Sequence, residues 1–510
     1  MFIGIVYCLL HCESRTDRPL IPILDHLLLG IALLTLMVLD RNGRSLRNSS
    51  NRSFLLKVPM NKRAILFCTL LSFLFFQCSG FLPSRQSEGF VTVKGSQFFH
   101  DGHPYYYAGA NMWYGCYLGS SGRTGDRPRL VRELDSLSAM GLVNLRVLAA
   151  SEDSYIKRSI KPAIQRSPGE LDEDLLKGLD FLLSEMGKRH MQAVLYLNNY
   201  WEWSGGMAQY NVWANGGEGA DPEDVSKGYS AFMLFSATFY TNERANKYYR
   251  EYVRTLVQRR NTVNGLLYRD DPTIMTWELA NEPRPGFGGP DESQHEVIFD
   301  QWVDETARYI HSLDPHHLVC TGSEGTIAFG FSTDRFRRSH DTKEIDYLTF
   351  HLWPKNWGWF NPMNYRETLP SSETKAMGYI ADNLGVARAL HKPIVMEEFG
   401  LARDSAKCLP GSPATARDEY YALVLNALYD SSRAGSPMVG SNLWTWGGEA
   451  TPLHADDMWR IGDTFTGDPP QEPQGFNSIC VGDTSTLRVI RAHASAMNRL
   501  GQQDSLPVVR

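Results

Sequence analysis

The sequence lacks the motifs of several large enzyme classes. It has neither a GxxxxGK(S/T) phosphate-binding loop nor an HExxH zinc motif, and no compact cluster of His and Asp replaces the latter. The net charge of −6 over 510 residues is small, and no long run of like charge is present. Such a chain has no strong electrostatic field for collecting nucleic acid or anionic lipid. We therefore expect no metal, no cofactor and no nucleic-acid partner, and we expect a neutral substrate.

Long hydrophobic runs are also scarce. The apolar run Leu27–Leu39 is shorter than the roughly 20 residues that span a bilayer. A second segment, Met60–Gly80, has a basic start, an apolar stretch and then small residues, which is the order of a secretory signal peptide. This order indicates that Met60 is the true start and that residues 1–83 comprise an upstream extension and the signal peptide. An unusual double leader is the alternative.

Cys78 follows the apolar stretch of the predicted signal peptide. It matches the lipidated cysteine of a bacterial lipoprotein, except that Gln77 stands where a small residue is usual. The sequence thus predicts a secreted or extracytoplasmic protein, expected as a monomer, whose only membrane attachment would be a lipid anchor at Cys78.

Cysteines are few, and half of the eight precede residue 84. The later four are Cys116, Cys320, Cys408 and Cys480. Their spacing resembles no zinc site. In an exported protein Cys408 could pair with Cys480, because both lie in late, loop-like sequence. Buried free thiols are an equally open alternative.

From Phe90 onward, short β-rich runs alternate with helical stretches whose apolar residues are three and four apart. Eight such βα units predict an α/β fold, a single (β/α)8 TIM barrel over residues 84–502 with a tail at 503–510. Residues 90–104 have the pattern of a hairpin that closes the bottom of the barrel. The predicted strands begin at Tyr105, Leu142, Met191, Thr273, His316, Ile345, Pro393 and Val439.

The connections that leave the third, sixth and eighth predicted strands are long and rich in tryptophan. In barrels of this kind the chemistry gathers at the carboxyl ends of the strands. Flat rings with a polar edge suit the C–H faces of sugars. The pattern therefore places a sugar-binding surface on this face of the barrel. The tryptophans are Trp201, Trp203, Trp213, Trp357, Trp359 and Trp459.

Two predicted strands end in glutamate. The segment WELANEP ends the fourth strand with Asn281 and Glu282, and VMEEFG ends the seventh with Glu397 and Glu398. Strand alternation should turn one of Glu397 and Glu398 inward and the other toward the helices, and the strand alone does not say which. A structural ion pair is the alternative for Glu282, but a buried carboxylate is costly unless it is paired or useful.

Two glutamates on nonadjacent strands can face each other across one glycosidic bond. A separation of about 5 to 5.5 Å would give a retaining double displacement. The charge of the nucleophile would raise the pKa of Glu282 and keep it protonated as an acid. Once the nucleophile is glycosylated, Glu282 can act as a base toward water.

Other side chains could support this pair. Arg146, near the end of the second strand, could hold the nucleophile ionised, although an ordinary ion pair is as good an explanation. Asn281 could bind the sugar 2-hydroxyl, and His351 could orient a carboxylate or bind a hydroxyl, although a lone histidine is more often structural. Trp444 could form a platform under the sugar, with a core role as the alternative. Further candidates for substrate contact are Trp113, Asn198 and Trp201.

These motifs resemble glycoside hydrolase family 5. The match rests on Asn281-Glu282-Pro283 and on Glu398-Phe399-Gly400. In the family the nucleophile immediately precedes an aromatic-glycine pair, so the resemblance favours Glu398 over Glu397. Within the family the sequence is most similar to endo-β-1,4-mannanases, through HLWPKNWGWF, TGSEG and GDPPQEPQGFNSI, and the similarity runs from Phe90 to Leu500.

The sequence departs from the family at one position. Many members place a tyrosine two residues after the strand-six histidine, where its hydroxyl contacts the nucleophile, whereas this chain has Trp353. An indole donates a hydrogen bond but accepts none. We therefore expect Trp353 to contact sugar rather than to act in catalysis. Glu324, in TGSEG, is expected to serve binding or structure.

The resemblance implies cleavage of internal β-1,4 bonds in mannan, glucomannan or galactomannan. The alternatives are an endo-β-1,4-glucanase, because the catalytic pair does not report the orientation of the 2-hydroxyl, and an exo-acting mannobiohydrolase. A noncatalytic carbohydrate-binding lipoprotein is the alternative of a different class, and the presence of both glutamates argues against it.

Overall fold

A computed structural model of the chain describes residues 89–503, apart from residues 218, 225, 227 and 287–291. The predicted signal peptide, the start at Met60 and the anchor at Cys78 lie outside the described residues. Within them, no helix is both long enough and apolar enough to cross a membrane.

Eight parallel strands form the central sheet, which confirms the predicted barrel. Every residue of these strands is buried, as expected where a parallel sheet is covered on both faces. The strands are β4 (Tyr107–Asn111), β5 (Asn144–Leu148), β8 (Gln192–Tyr196), β9 (Ile274–Glu278), β10 (Leu318–Cys320), β11 (Leu348–Leu352), β12 (Ile394–Phe399) and β13 (Met438–Leu443). Their order in the sheet is β10, β9, β8, β5, β4, β13, β12, β11.

The two ends of this strand order, β10 and β11, meet through Asp346. The backbone N–H of Asp346 donates to the carbonyl of Val319 at 2.9 Å, and its carboxylate accepts from the N–H of Val319 at 2.7 Å. The Asp346 side chain thus accepts one of the hydrogen bonds that would otherwise join the backbones of β10 and β11, which are too short to pair at this point. This contact brings the ends of the sheet together into the barrel.

Helices lie between the strands and begin where the sequence provides caps. Asp172 accepts from the N–H groups of Asp174 and Leu175, and Asn242 caps a later helix by accepting from the N–H of Ala245. The helices are α1 (Gly115–Gly119), α2 (Arg127–Ala139), α3 (Glu173–Gly187), α4 (Gly206–Asn215), α5 (Tyr229–Ala237), α6 (Glu243–Val257), α7 (Glu292–Leu313), α8 (Thr333–His340), α9 (Tyr365–Leu390), α10 (Thr415–Arg433) and α11 (Thr484–Gln503). Short 3-10 turns occur at Glu202–Ser204, Thr238–Thr241, Tyr268–Asp270, Thr326–Phe329, Pro362–Asn364 and Asp404–Ala406.

The predicted N-terminal hairpin is a three-stranded antiparallel sheet of β1 (Val91–Lys94), β2 (Gln97–His100) and β3 (His103–Tyr105). Its Val91 and Phe98 share a buried apolar cluster with Met275, Val395 and Val439 from the barrel strands. The hairpin therefore covers the end of the barrel opposite the long loops, as predicted.

The long connections that leave the barrel strands also occur where the sequence predicts them. The exit from β8 carries α4 and α5, and the exit from β13 runs to the short pair β14 (Trp446–Gly448) and β15 (Ile479–Cys480). A second small pair, β6 (Gln165–Ser167) and β7 (Glu170–Leu171), lies in the exit from β5.

The expected cysteine pairing does not occur. Cys116, Cys320, Cys408 and Cys480 are all free and buried. Of the two alternatives, buried free thiols are confirmed and the bond between Cys408 and Cys480 is not, because Cys480 lies in a strand beside Arg403 while the thiol of Cys408 approaches the carbonyl of Ala406.

Candidate active site

Two glutamates meet at the carboxyl ends of the barrel strands. Glu398 lies in β12, and Glu282 follows the end of β9 by four residues. A carboxylate oxygen of each and a ring nitrogen of His351, in β11, all lie within 4.8 Å of one another. The barrel therefore brings together three predicted residues that are up to 116 positions apart in the chain.

Arg146 of β5 is the cation of the site, and it is fully buried. Its Nη1 donates to Glu398 and, at 3.1 Å, to Asn111. Its Nη2 donates to Asn281 at 2.8 Å. Glu278 accepts the remaining two bonds, from Nε at 2.9 Å and Nη2 at 2.6 Å. Arg146 thus contacts the predicted nucleophile, and it is also the main partner of a carboxylate that sequence reasoning missed.

Glu278 carried a signal in the sequence. It ends the apolar strand β9, four residues before Glu282, and a buried arginine such as Arg146 must be paired with a carboxylate to be tolerated. The bidentate contact with Arg146 supplies that pairing.

Both glutamates of VMEEFG face the barrel interior, in contrast to the expected alternation. The pairing of β12 with β11 passes from Phe350 opposite Met396 to His351 opposite Glu398, so Glu397 has no partner in the ladder. Such a bulge turns two successive side chains to one side. Glu397 is fully buried, and its Oε2 lies 3.6 Å from Nε of Arg146.

Glu282 is held from two sides. Nδ1 of His351 lies 2.6 Å from its Oε1, and the indole N–H of Trp201 donates to its Oε2. Its backbone has φ 50°, a left-handed conformation that costs a residue with a Cβ about 1–3 kcal/mol and is concentrated at functional sites. The N–H of Glu282 donates to the carbonyl of Gly322 at 2.9 Å, which fixes this turn against the next strand's exit.

Trp353 contacts the predicted nucleophile directly. Its indole N–H donates to Oε2 of Glu398 at 3.1 Å, so it makes a contact that the sequence reading did not expect of it. Trp444 packs edge-on against Trp353, with ring centroids 6.1 Å apart. Trp444 thus supports the indole that contacts Glu398.

Arg284 and Glu324 form a second ion pair at the rim, in which Glu324 is buried and Arg284 is partly exposed. Arg284 donates twice to Glu324, with Nη2 at 2.7 Å from Oε1. The Arg284 guanidinium also lies 4.9 Å from the ring centre of Trp201, which stacks on Tyr229 from the exit of β8. Glu324 is thus a structural partner here, and Arg284, which we did not predict, supports the indole that contacts Glu282.

Two predicted sugar contacts, Trp113 and Asn198, are as deeply buried as Arg146 and His351. Trp113 is fully buried, and its indole N–H donates to the carbonyl of Gly467 at 2.5 Å. Its ring packs on Trp203 and Phe465. Asn198 is also buried, and its Oδ1 accepts from the N–H of Asn199. The structure does not bring Trp113 to the surface of the site.

Burial governs protonation in this cluster. It raises the pKa of Glu398, and the nearby Glu282 raises it further, whereas Arg146 and Trp353 lower it. Burial also raises the pKa of Glu282, against the opposing effects of Arg284 and Trp201. Two carboxylates so close share one proton. Because Arg146 donates to Glu398, that proton resides on Glu282.

His351 is neutral in this setting. Burial lowers its pKa to about 4, because the charged ring would lose its hydration. A neutral imidazole carries one N–H. With the shared proton on Glu282, Nδ1 of His351 accepts and the ring N–H is at Nε2, which faces Glu397 at 3.9 Å.

Two sets of side chains have the spacing of metal ligands among the described residues. They are Glu278 with Cys320 and Glu397, and Glu282 with His351 and Glu398. Arg146 already donates to a carboxylate of each set and places a positive charge beside both. An additional cation would be repelled, so the donor chemistry favours acid–base and nucleophilic roles over metal binding.

Comparison with known proteins points to one family. A family model described as GH family 5 beta-mannosidase-like matches residues 88–502. Mannan endo-1,4-beta-mannosidase 1 of Arabidopsis thaliana is 30% identical over 388 residues, which cover 72% of this chain and 84% of that relative.

Solved structures of a mannosidase and of an endo-mannanase are also similar to this chain. A glycoside hydrolase family 5 mannosidase from Rhizomucor miehei has a TM-score of 0.74 and 35% identity, covering 82% of this chain and 100% of its own. A mutant of that mannosidase has also been solved in complex with mannosyl-fructose. An endo-1,4-beta-mannanase from Rhizomucor miehei has a TM-score of 0.58 and 25% identity, covering 80% of this chain and 99% of its own.

Replacing Arg146 with Met should destabilise the fold strongly. The change leaves Glu278 and Glu398 buried without their cation, and breaking a buried pair in this way costs about 3–5 kcal/mol. Urea unfolding gives the free energy. The matched control is Arg132→Met, which removes an exposed ion pair with Glu449 and should cost less than about 1 kcal/mol. Equal losses for the two variants would contradict the central role of Arg146.

Proposed function

Because the chain belongs to glycoside hydrolase family 5, in its β-mannosidase-like group, we propose that it is a retaining hydrolase of internal β-1,4-mannosidic bonds. The single observation that carries the proposal is the approach of Glu282 and Glu398 within 4.8 Å. Carboxyl groups about 5 to 5.5 Å apart support retention, whereas inverting enzymes need roughly 6.5–9.5 Å to admit water between them.

In the first step, an oxygen of Glu398 attacks the anomeric carbon and forms a glycosyl ester. The bond to the leaving sugar breaks, and the departing oxygen takes the proton of Glu282. Arg146 and Trp353 both donate to Glu398, so they keep its carboxylate ionised and direct one of its oxygens toward the sugar. Asn281 is held by Arg146 beside the same point, where we propose that its amide binds the 2-hydroxyl.

In the second step, water replaces the leaving sugar. Esterification removes the negative charge of Glu398, so the pKa of Glu282 falls and its carboxylate can take a proton from the water. The hydroxide attacks the anomeric carbon, the ester bond breaks, and Glu398 is released as a carboxylate. His351 and Trp201 keep Glu282 in place through both steps.

The relatives support mannan, glucomannan or galactomannan and their oligosaccharides as substrates. The named relatives act on mannan or are mannosidases, and the aromatic lining of Trp353, Trp444 and Trp201 suits a sugar chain. One observation favours a second candidate, action on short manno-oligosaccharides from the chain end. The solved mannosidase has a higher TM-score, 0.74, than the endo-mannanase, 0.58.

Replacing either glutamate by Gln should abolish hydrolysis and leave sugar binding. Glu282→Gln removes the general acid/base and should lower kcat/KM on mannan by about 10²–10⁴-fold, and Glu398→Gln should lower it at least as much. Tryptophan fluorescence with mannohexaose reports binding. The control Glu367→Gln changes an exposed glutamate and should behave as wild type.

Near-normal activity of Glu282→Gln or Glu398→Gln would refute the role of that residue. An inactive wild type that binds mannohexaose would instead support a noncatalytic binding protein.

Hydrolysis rates and products identify the preferred substrate and show whether bonds are cut internally or from the chain end. We expect faster hydrolysis of mannan than of cellulose, and internal cuts of mannohexaose that give products of mixed length with the β configuration first in the proton NMR spectrum. Release of mannose or mannobiose alone would replace the endo assignment with the exo alternative. Preference for cellulose would favour the glucanase.

We further propose that the protein is secreted as a monomer after removal of residues 1–83, on the evidence of the signal-like segment Met60–Gly80. Expression from Met60 should deliver the protein outside the cytoplasm. Mass spectrometry of the product should show a start near residue 84, and size-exclusion chromatography should show one chain. A start at Cys78 with the mass of attached lipid would indicate the anchored form. Retention of residues 1–59 in the exported protein would refute the predicted start.

A further inference from the structure

A third glutamate lies beneath the catalytic pair without a role in the steps above. Glu397 is fully buried, and neither of its carboxylate oxygens has a hydrogen-bond partner within the described part of the chain. It reaches this position because the bulge in β12 turns it to the same side as Glu398.

The nearest cation has no donor left for Glu397. A guanidinium has five N–H donors. The five donors of Arg146 are taken by Glu278 twice and by Asn111, Asn281 and Glu398 once each. Although Nε of Arg146 is 3.6 Å from Oε2 of Glu397, its hydrogen is directed to Glu278.

The remaining surroundings also favour an uncharged Glu397. Charged or titratable groups face it from five strands of the barrel. They are Tyr107 of β4, Arg146 of β5, Glu278 of β9, Cys320 of β10, and His351 of β11 with Tyr347 just before that strand. His351 is neutral, and an oxygen of Glu278, an oxygen of Glu397 and the sulfur of Cys320 lie within 4.8 Å of one another. Since Glu278 takes the two bonds from Arg146, it is the ionised member, and the neutral acid is Glu397.

We propose that Glu397 is a positioning residue that must stay a neutral acid for Arg146 to serve Glu398. When Glu397 loses its proton, a second negative charge beside Arg146 competes with Glu398 for that cation and opposes its ionisation. The loss of this proton, rather than the proton of Glu282, would then set the alkaline limit of activity. This inference rests on the proposed hydrolase function. Burial, and next the charge of Glu278, raise the pKa of Glu397 to about 7, which places that limit near neutral pH.

The first test follows the pH profile of kcat/KM on mannan. Glu397→Gln cannot ionise, so its alkaline limb should move upward by about one pH unit or more, whatever the height of the plateau. One unit above a pKa, only about a tenth of the acid is still protonated. Near pH 8, the kcat/KM of wild type should therefore be about a tenth of its maximum value. At the same pH, the kcat/KM of Glu397→Gln should still be close to its own maximum. Glu397→Met is a second neutral variant and should shift the limb in the same direction.

The second test does not require hydrolysis. A buried acid whose folded pKa exceeds its unfolded value of about 4.3 weakens folding as pH rises between those two values. The difference in Tm between Glu397→Gln and wild type should therefore increase from about pH 4.5 to pH 7, in favour of the variant, and then level off. The exposed control Glu367→Gln should show a constant difference.

The two tests separate this inference from the proposed function. Alkaline limbs that coincide in wild type and both neutral variants would overturn the positioning role, because a purely structural residue lowers activity equally at every pH. A constant Tm difference would overturn the neutral-acid assignment. An inactive wild type with the expected Tm difference would overturn the hydrolase function and its alkaline limit, and would leave the neutral Glu397 supported.

Discussion

The contacts of one guanidinium organise this site. Arg146 is fully buried and is tolerated only because its five donors meet carboxylates and amides on three other strands or their exits. Those contacts fix the distance between β5, β9 and β12, and they also decide which carboxylates can be ionised. The stability of the barrel and the ionisation of Glu398 therefore depend on the same bonds.

The two glutamates proposed to react stand where the regular structure breaks. Glu398 follows a bulge in β12, and Glu282 has a left-handed backbone just beyond β9. Both irregularities aim a carboxylate at a point that ordinary strand alternation would miss. Neighbouring strands hold them in place through His351 and through the carbonyl of Gly322. The geometry of the pair is thus a property of the closed barrel and not of either strand.

Indole groups extend the control of charge to the rim. Trp353 donates to Glu398, and Trp201 donates to Glu282 while Arg284 lies over its ring. Each carboxylate of the pair therefore has its own indole donor, and neither indole can accept a proton in exchange. Such donors stabilise charge on a carboxylate without competing for the proton that the chemistry moves. The same rings present flat apolar faces, so positioning of the acid and contact with a sugar can be combined in one side chain.

The sequence by itself determined the eight βα units, the closing hairpin and the long exits, because these follow from local periodicity and composition. It also marked Glu282 and the pair Glu397 and Glu398, since a carboxylate that ends an apolar strand is conspicuous, and the family resemblance favoured Glu398 of that pair. Tertiary structure alone decided that Glu397 turns inward, that Glu278 and Arg284 belong to the cluster, that Trp353 donates to Glu398, that Trp113 is buried, and that the four later cysteines are buried free thiols. The reason is physical. Periodicity reports which side of a strand a residue occupies, whereas hydrogen-bond partners, bulges and shared protons depend on strands that meet only when the barrel closes.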